Sequence, residues 1–200
     1  LIKEVTDNLL FADHDQKNNV MLTEIIYKMN ELSTHDSYTG LYNKRFMEHE
    51  LKREISDWKE ERPLTIALLD IDQFKTVNDN YGHLVGDRVI LALSEALKEC
   101  AESHNGWACR IGGDEFLILF RGINEAQAQQ VIQNFRSEIA RISFGEAARD
   151  YQISVSVGLA EYDLKFQDWE TWFTLADQAM YENKMQAEIR NCPFKDKPVQ

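Results

Sequence analysis

Cysteine is scarce in this chain, and so are long apolar runs. Cys100, Cys109 and Cys192 are its three cysteines, and an odd count without a C-x-x-C pair argues against a disulfide framework and favours a reducing, cytoplasmic setting. No apolar run reaches the roughly 18 residues that span a bilayer, and no secretory signal opens the chain, so we expect no membrane contact by this fragment. Because it starts at Leu1 rather than Met, we expect a longer protein that could hold an upstream sensor or a membrane anchor.

Positive charge is also in short supply. Lys and Arg number 22 against 34 Asp and Glu, giving a formal net charge of −12. This balance argues against a broad nucleic-acid or anionic-membrane surface, which would need clustered basic side chains. It does not exclude a small phosphate-bearing ligand, because a metal ion can mediate between carboxylates and phosphate. With 44% hydrophobic and 28% charged residues, the chain is expected to bury a substantial core.

The distribution of apolar and polar residues divides the chain into an N-terminal helical linker (1–34), a main domain (35–190) and an irregular tail (191–200). The linker contains two apolar seams, which are out of phase: Leu22, Ile25, Met29 and Leu32 form one, and Ile2, Val5, Leu9 and Ala12 the other. An interrupted dimeric coiled coil and two short helices packed on the domain fit these seams equally well.

Periodicity and turn residues predict an α+β domain. The expected elements are, in order, a helix capped by Asn43 (44–59), a strand (64–72), a turn-rich connector (76–83), a helix (86–102), a hairpin (107–111 and 116–120), a helix (125–142), a strand (151–160) and a last helix (169–187). The apolar run of the first strand is typical of a central strand covered on both faces.

Carboxylates cluster at the end of the first predicted strand and at the tip of the predicted hairpin. Asp70 and Asp72 close the first strand, where a buried carboxylate needs a partner; we expect a hard metal ion at Asp70, whereas Asp72 more simply caps the following helical turn. The hairpin tip (112–115) has two glycines and then two mutually repelling carboxylates. If the strand lies beside the hairpin, Asp70 meets Asp114 and Glu115. Oxygen ligands of this kind select Mg²⁺ or Mn²⁺, which suits a bound triphosphate.

Five motifs in order, between about residues 33 and 187, resemble those of GGDEF domains, the diguanylate cyclases. R-I-G-G-D-E-F at 110–116 is similar to the signature itself, and 36–45 is similar to D-x-L-T-G-L-x-N-R-R. Residues 70–87 resemble D-x-D-x-F-K-x-x-N-D-x-x-G-H-x-x-G-D throughout, and 156–160 and 176–184 resemble later motifs. The resemblance implies an α/β sandwich with a ferredoxin-like, polymerase-palm-like sheet, and condensation of two GTP molecules into cyclic di-GMP with release of pyrophosphate.

The resemblance also implies roles for individual residues. Mg²⁺ (or Mn²⁺) would be held by Asp70, the carbonyl of Ile71, Asp114 and Glu115, with Asp114 the candidate base for the ribose 3′-hydroxyl. Lys75, as a catalytic residue, and Lys184 would oppose the charge of the phosphates. Asn78 and Asp87 would hydrogen-bond the guanine. Phe74 and His83 would lie in the substrate pocket, and Gly112 and Gly113 would let the nucleotide approach the backbone. Taken alone, Asp87 is also explained by the helix dipole, and His83 by packing.

Catalysis by such a domain would require a homodimer, since each copy would bind one GTP. Two departures from the motifs matter. Glu188 stands where the family has an Arg that contacts the triphosphate. The alternative function is therefore a catalytically impaired module that binds GTP or a partner protein. A purely structural dimerisation domain is the third hypothesis. Residues 103–106 lack the Arg-x-x-Asp of product-inhibited members, so we expect no inhibitory site.

Overall fold

The computed structural model describes residues 33–190, without the side chains of 147 and 187–190. The predicted linker seams and the tail therefore lie outside the described residues. The helices are α1 (Lys44–Ser56), α2 (Phe74–Tyr81), α3 (His83–Ser103), α4 (Glu125–Ile139) and α5 (Trp169–Arg190). The strands are β1 (Tyr42–Asn43), β2 (Leu64–Ile71), β3 (Trp107–Gly112), β4 (Glu115–Arg121) and β5 (Val155–Glu161).

The strands form one mixed sheet in the order β1-β3-β4-β2-β5. Within residues 33–190, the short β1 pairs in parallel with β3, and β2 lies antiparallel between β4 and β5. From β2 to β5 the chain follows the β-α-β-β-α-β order of ferredoxin-like folds, with two successive helices, α2 and α3, in the first crossover. The α+β prediction is confirmed.

Alternation along the strands divides the core into two layers. On β2, Ala67 and Leu69 pack with α3 and α4, whereas Ile66 and Leu68 pack with α1 and α5. All eight residues of β2 are buried, so the prediction of a central strand covered on both faces is confirmed. Burial on both sides is why its sequence shows no polar alternation.

The predicted connector at 76–83 is wrong, because most of this stretch forms α2. Its asparagines, aspartate and glycine favour turns in isolation. Val77 is nevertheless buried in the core, and Phe74 packs against it, so tertiary contact outweighs the weak local preference. The next helix starts at His83 rather than at 86, directly after Gly82.

Candidate active site

The end of β2 brings the predicted acidic groups together. Asp70 pairs in register with Glu115 of β4, and the backbone N–H of Ile71 donates to the carbonyl of Asp114 at 3.2 Å. Gly113 adopts a φ of +54° in the tight turn between the two strands, a conformation that glycine accepts without steric cost. The expected meeting of Asp70 with the hairpin tip is therefore present.

Lys184 is the cation that faces this acidic cluster. Its Nζ lies 2.7 Å from Oδ1 of Asp70. Asp70 is buried, with only 6% of its surface exposed. Lys184 comes from α5, which is fixed to the sheet by the indole N–H of Trp172 donating to the carbonyl of Ala160 at 2.9 Å. Strand alternation directs Asp70 to the α1–α5 side of the sheet, the side from which Lys184 reaches it.

Burial and neighbouring carboxylates raise the pKa of Asp70 and of Glu115. Burial raises the pKa of Asp70, and the charges of Asp114 and Asp72 add to this, against the opposing hydrogen bond and charge of Lys184. Burial also raises the pKa of Glu115, and the charges of Asp70, Asp114 and Asp177 raise it further. Burial opposes the charge on Lys184, but its hydrogen bond to Asp70 and the surrounding carboxylates outweigh this and raise its pKa. The cluster therefore carries more negative charge than one lysine offsets.

A divalent cation fits this donor set. The oxygens at hand are carboxylates and backbone carbonyls, which hard cations such as Mg²⁺ prefer. Among residues 33–190, no three or more His, Cys, Asp or Glu side chains are grouped so that they could hold a metal ion by themselves. Phosphate oxygens of a nucleotide can supply missing ligands, as is usual for Mg²⁺, which binds through one or two carboxylates plus substrate phosphates.

Two cavities meet at Lys184. One of about 670 Å³ is lined by Asp70, Glu115 and Asp177, and another of about 410 Å³ is lined by Asp72 and Tyr151; Lys184 borders both. An ammonium group between two open spaces, with acidic groups beside it, is placed to contact an extended polyphosphate.

Asp72 does not cap a helix, contrary to expectation. Its carboxylate accepts hydrogen bonds from the hydroxyls of Ser154 and Ser156, and α2 begins after Gln73 without a side-chain cap. The start of β5 and the residue before it thus supply the partners that a local turn was expected to supply. Sequence reasoning missed both serines because only the pairing of β2 with β5 brings them near.

The predicted base-binding groups lie on α2 and α3, in the opposite layer from α5. Phe74 and Asn78 are half-buried on α2, whereas Lys75 on the same helix is exposed. His83 and Asp87 lie in the first turns of α3 and are exposed, so packing does not account for His83. The structure shows no contact between Lys75 and the acidic cluster.

Gly86 is a residue whose role sequence reasoning overlooked. A Cβ at Gly86 would stand 2.0 Å from Oδ1 of Asn78 and 3.3 Å from Cζ of Phe74. Only glycine therefore lets α3 approach α2 closely enough for Asn78 to keep this position. The signal was available in the G-D pair at 86–87, but it indicated a helix start there rather than a contact.

Comparison with known proteins points to one family. The family described as "Diguanylate cyclase, GGDEF domain" matches residues 33–190. Diguanylate cyclase A of Treponema denticola is 27% identical over 188 residues, covering 94% of this chain and 50% of that protein. Diguanylate cyclase DosC of Escherichia coli K12 is 31% identical over 166 residues, covering 80% and 36%. The chain thus spans half or less of the length of these relatives.

Solved structures give the same result for the fold. The coiled coil and GGDEF domain of DgcB from Caulobacter crescentus, in complex with c-di-GMP, matches with a TM-score of 0.77 at 28% identity, covering 86% of this chain and 92% of that one. The diguanylate cyclase SiaD of Pseudomonas aeruginosa, in complex with its activator SiaC, matches with a TM-score of 0.71 at 26% identity, covering 92% and 70%. No helix within residues 33–190 is long and apolar enough to cross a bilayer.

Proposed function

Because the chain belongs to the GGDEF family of diguanylate cyclases, we propose that it condenses two GTP molecules into cyclic di-GMP. In each of two steps a ribose 3′-oxygen attacks the α-phosphorus of the other nucleotide, the bond to the β-phosphate oxygen breaks, and pyrophosphate leaves. The observation that carries the proposal is the pairing of Asp70 with Glu115 beside the turn that holds Asp114, with Lys184 opposite. Such a cluster suits a metal-bound triphosphate.

The acidic end of the site would hold the metal and the reacting groups. Asp70, the carbonyl of Ile71, Asp114 and Glu115 would hold Mg²⁺ or Mn²⁺, which when bound neutralises phosphate charge and lowers the pKa of a nearby hydroxyl. Asp114 would accept the proton of the 3′-hydroxyl. Lys184, and Lys75 after movement of its exposed side chain, would oppose charge on the phosphates.

The other end would select guanine. Asp87 can accept hydrogen bonds from the N–H groups on the edge of guanine, and Asn78 can both donate and accept. An adenine presents a different pattern there, so it would leave these polar groups unpaired. Phe74 and His83 would line this part of the pocket, and Gly112 and Gly113 would allow the nucleotide to approach the backbone, since both glycines face open space.

Catalysis would need two copies of the domain, since one copy offers one site of this kind. A homodimer controlled by the 22–32 seam, driven by an upstream sensor in the full-length protein, would bring two GTP molecules face to face. The free thiols of Cys100 and Cys109 suit a reducing, cytoplasmic setting. Because the net charge is acidic, we expect no nucleic acid among the partners.

Product analysis tests this proposal directly. The whole chain, alone and fused to a dimeric leucine zipper, is incubated with GTP and Mg²⁺, and nucleotides are separated by chromatography. We expect cyclic di-GMP and pyrophosphate, with no product when a chelator removes the metal. No cyclic di-GMP from either form would overturn the proposal.

An impaired GGDEF module is the second candidate, favoured by one residue. Glu188 places a negative charge where the family motif has an arginine on the triphosphate; it lies in the last turns of α5, and its side chain is outside those described. Such a module would bind GTP, or a partner protein, without turnover. Calorimetry that shows GTP binding, together with product analysis that shows no cyclic di-GMP, would select this candidate.

A further inference from the structure

Helix α5 crosses the sheet in direct backbone contact with β5. A Cβ at Gly158 would stand 1.9 Å from the carbonyl oxygen of Ala176 and 2.2 Å from the backbone nitrogen of Met180, so no side chain separates the strand from the helix here. Lys184 follows one turn beyond this crossing, and its ammonium group ends a flexible four-carbon chain. The position of the ammonium therefore depends on how the part of α5 after Met180 is held.

Arg136 of α4 holds this part of α5. Its Nη2 donates to Oδ1 of Asn183 at 3.2 Å, and its Nε donates to the carbonyl of Val155 at 3.1 Å. Because β5 is an edge strand of the sheet, Arg136 can reach past it from the α3–α4 layer to the α1–α5 layer. One planar guanidinium, whose donors have fixed directions, thus joins α4, β5 and α5. These three residues are here called the edge tie.

The edge tie lies level with the acidic cluster. Its strand contact is at Val155, which is the register partner of Ile71 and therefore lies beside Asp70. Its helix contact is at Asn183, directly before Lys184, whose Nζ lies 2.7 Å from Oδ1 of Asp70. The contacts thus form a closed ring that runs from the end of β2 through β5, α4 and α5 and back to β2.

Holding Asn183 also fixes the rotation of α5 about its axis. Neighbouring side chains of an α-helix point about 100° apart, so the direction of one determines the direction in which the next leaves the helix. The side chain of Lys184 is 34% exposed, which leaves its ammonium accessible to a ligand. A lysine that is already placed in this way loses less conformational freedom when a phosphate binds to it.

We propose that Arg136 and Asn183 are positioning residues that fix Lys184 for the triphosphate. The inference rests on the proposed function, specifically on Lys184 opposing the charge of the phosphates. The action of both residues passes through the backbone of α5 to that lysine and requires no contact of their own with the nucleotide. The helix α4, which lies outside the five motifs, thereby contributes to phosphate binding.

Nucleotide affinity in a double-mutant cycle tests the proposal. Calorimetry with the whole chain in Mg²⁺ measures the binding of a GTP analogue that cannot be cleaved between the α- and β-phosphates. The proteins are wild type, Asn183→Ala, Lys184→Met and the double variant. Arg136→Lys is added because lysine keeps the positive charge but lacks the fixed pair of donors. The matched control is Asn134→Ala, the same change at an exposed position of α4.

We expect Asn183→Ala and Arg136→Lys each to weaken binding of the analogue about three- to tenfold, and Asn134→Ala to leave it unchanged. In the Lys184→Met background, Asn183→Ala should have little further effect, because its action passes through that lysine. A merely structural role of the edge tie would weaken binding by the same factor in both backgrounds, and this result would overturn the inference.

Three further results would overturn it. Equal binding by wild type and Asn183→Ala would show that the edge tie does not position Lys184, while the proposed function would stand. Wild-type affinity in Arg136→Lys would show that Arg136 supplies positive charge rather than fixed geometry. Absence of guanine-nucleotide binding by wild type would remove the proposed function and this inference together.

Discussion

The two ends of the proposed nucleotide site are built in different ways. At the acidic end, Asp70 is buried at the end of a central strand, and strand pairing fixes its distance from Glu115. At the base end, Asn78 and Asp87 stand on two helices, where Asn78 is half-buried and Asp87 is exposed. In the proposed site, the charged groups for the chemistry are thus fixed on the sheet, whereas selection of the base would depend on side chains whose position is easier to change.

Removing charge from the acidic end should have the largest effect. We expect Asp70→Asn to lower the rate of pyrophosphate release about a hundredfold or more, because the proposed metal ligand is lost and Lys184 is left without its carboxylate partner. The measurement is the initial rate in the dimeric form. Asp163→Asn, the same change on an exposed loop residue, is the control and should leave the rate unchanged. A similar rate in both variants would contradict the division between the two ends.

Gly86→Ala should damage the base end selectively. The added methyl group would meet Oδ1 of Asn78 at 2.0 Å, so Asn78 must move, and we expect GTP affinity to fall about tenfold. Calorimetry measures this. The matched control is the same change in an Asn78→Ala background, where the clash is gone and Gly86→Ala should cost much less. An undiminished loss in that background would mean that α3 itself has shifted.

Asp36→Asn should loosen the loop at residues 36–40 from the hairpin tip, since Arg110 bonds both Asp36 and the carbonyl of Gly113. Burial acts to raise the pKa of Asp36, but the hydrogen bonds from Thr39 and Arg110 outweigh it, and the pKa of Asp36 is lowered. We expect about 1 kcal/mol less free energy of unfolding at pH 7. Since the folded pKa is depressed, the contribution of Asp36 is present above its unfolded pKa of about 4 and disappears as the pH falls through the folded value.

Urea unfolding at pH 7 and at pH 3 measures this contribution. The difference between wild type and Asp36→Asn should shrink at the lower pH. The control is Asp168→Asn, because Asp168 also accepts bonds from a threonine three residues later but pairs with no arginine within residues 33–190. A difference that stays constant with pH would show that charge on Asp36 is not the cause.

Glu188→Arg should have the smallest effect. It tests the acidic end of the site through its expected contact with the phosphates of GTP. It restores the charge of the family motif, and we expect GTP affinity to rise about two- to threefold if the side chain reaches the phosphates through solvent. Glu170→Arg, which makes the same change of charge in the exposed first turn of the same helix, is the control. Equal gains from both variants would indicate a general charge effect rather than a phosphate contact.

Particular residues show how far sequence reasoning reached. The apolar run of β2, the hairpin and the cap by Asn43, whose side chain accepts from the N–H of Phe46 at 2.9 Å, were all predictable, because each is a local pattern. The helix α2 was not, since it depends on the burial of Val77 in the core rather than on the helix propensity of its residues. The exact ends of elements were also missed: β5 starts at Val155 rather than at 151, and α4 ends at Ile139 rather than at 142.

The sequence by itself determined which groups this chain possesses: acidic residues after a buried strand, a Gly-Gly turn and five ordered motifs that identify the family. Only the tertiary structure decided their partners. Asp72 accepts hydrogen bonds from Ser154 and Ser156, and Lys184, near the end of the domain's sequence, meets Asp70. The reason is physical: contacts between residues tens of positions apart depend on strand register and helix packing, which no local pattern encodes.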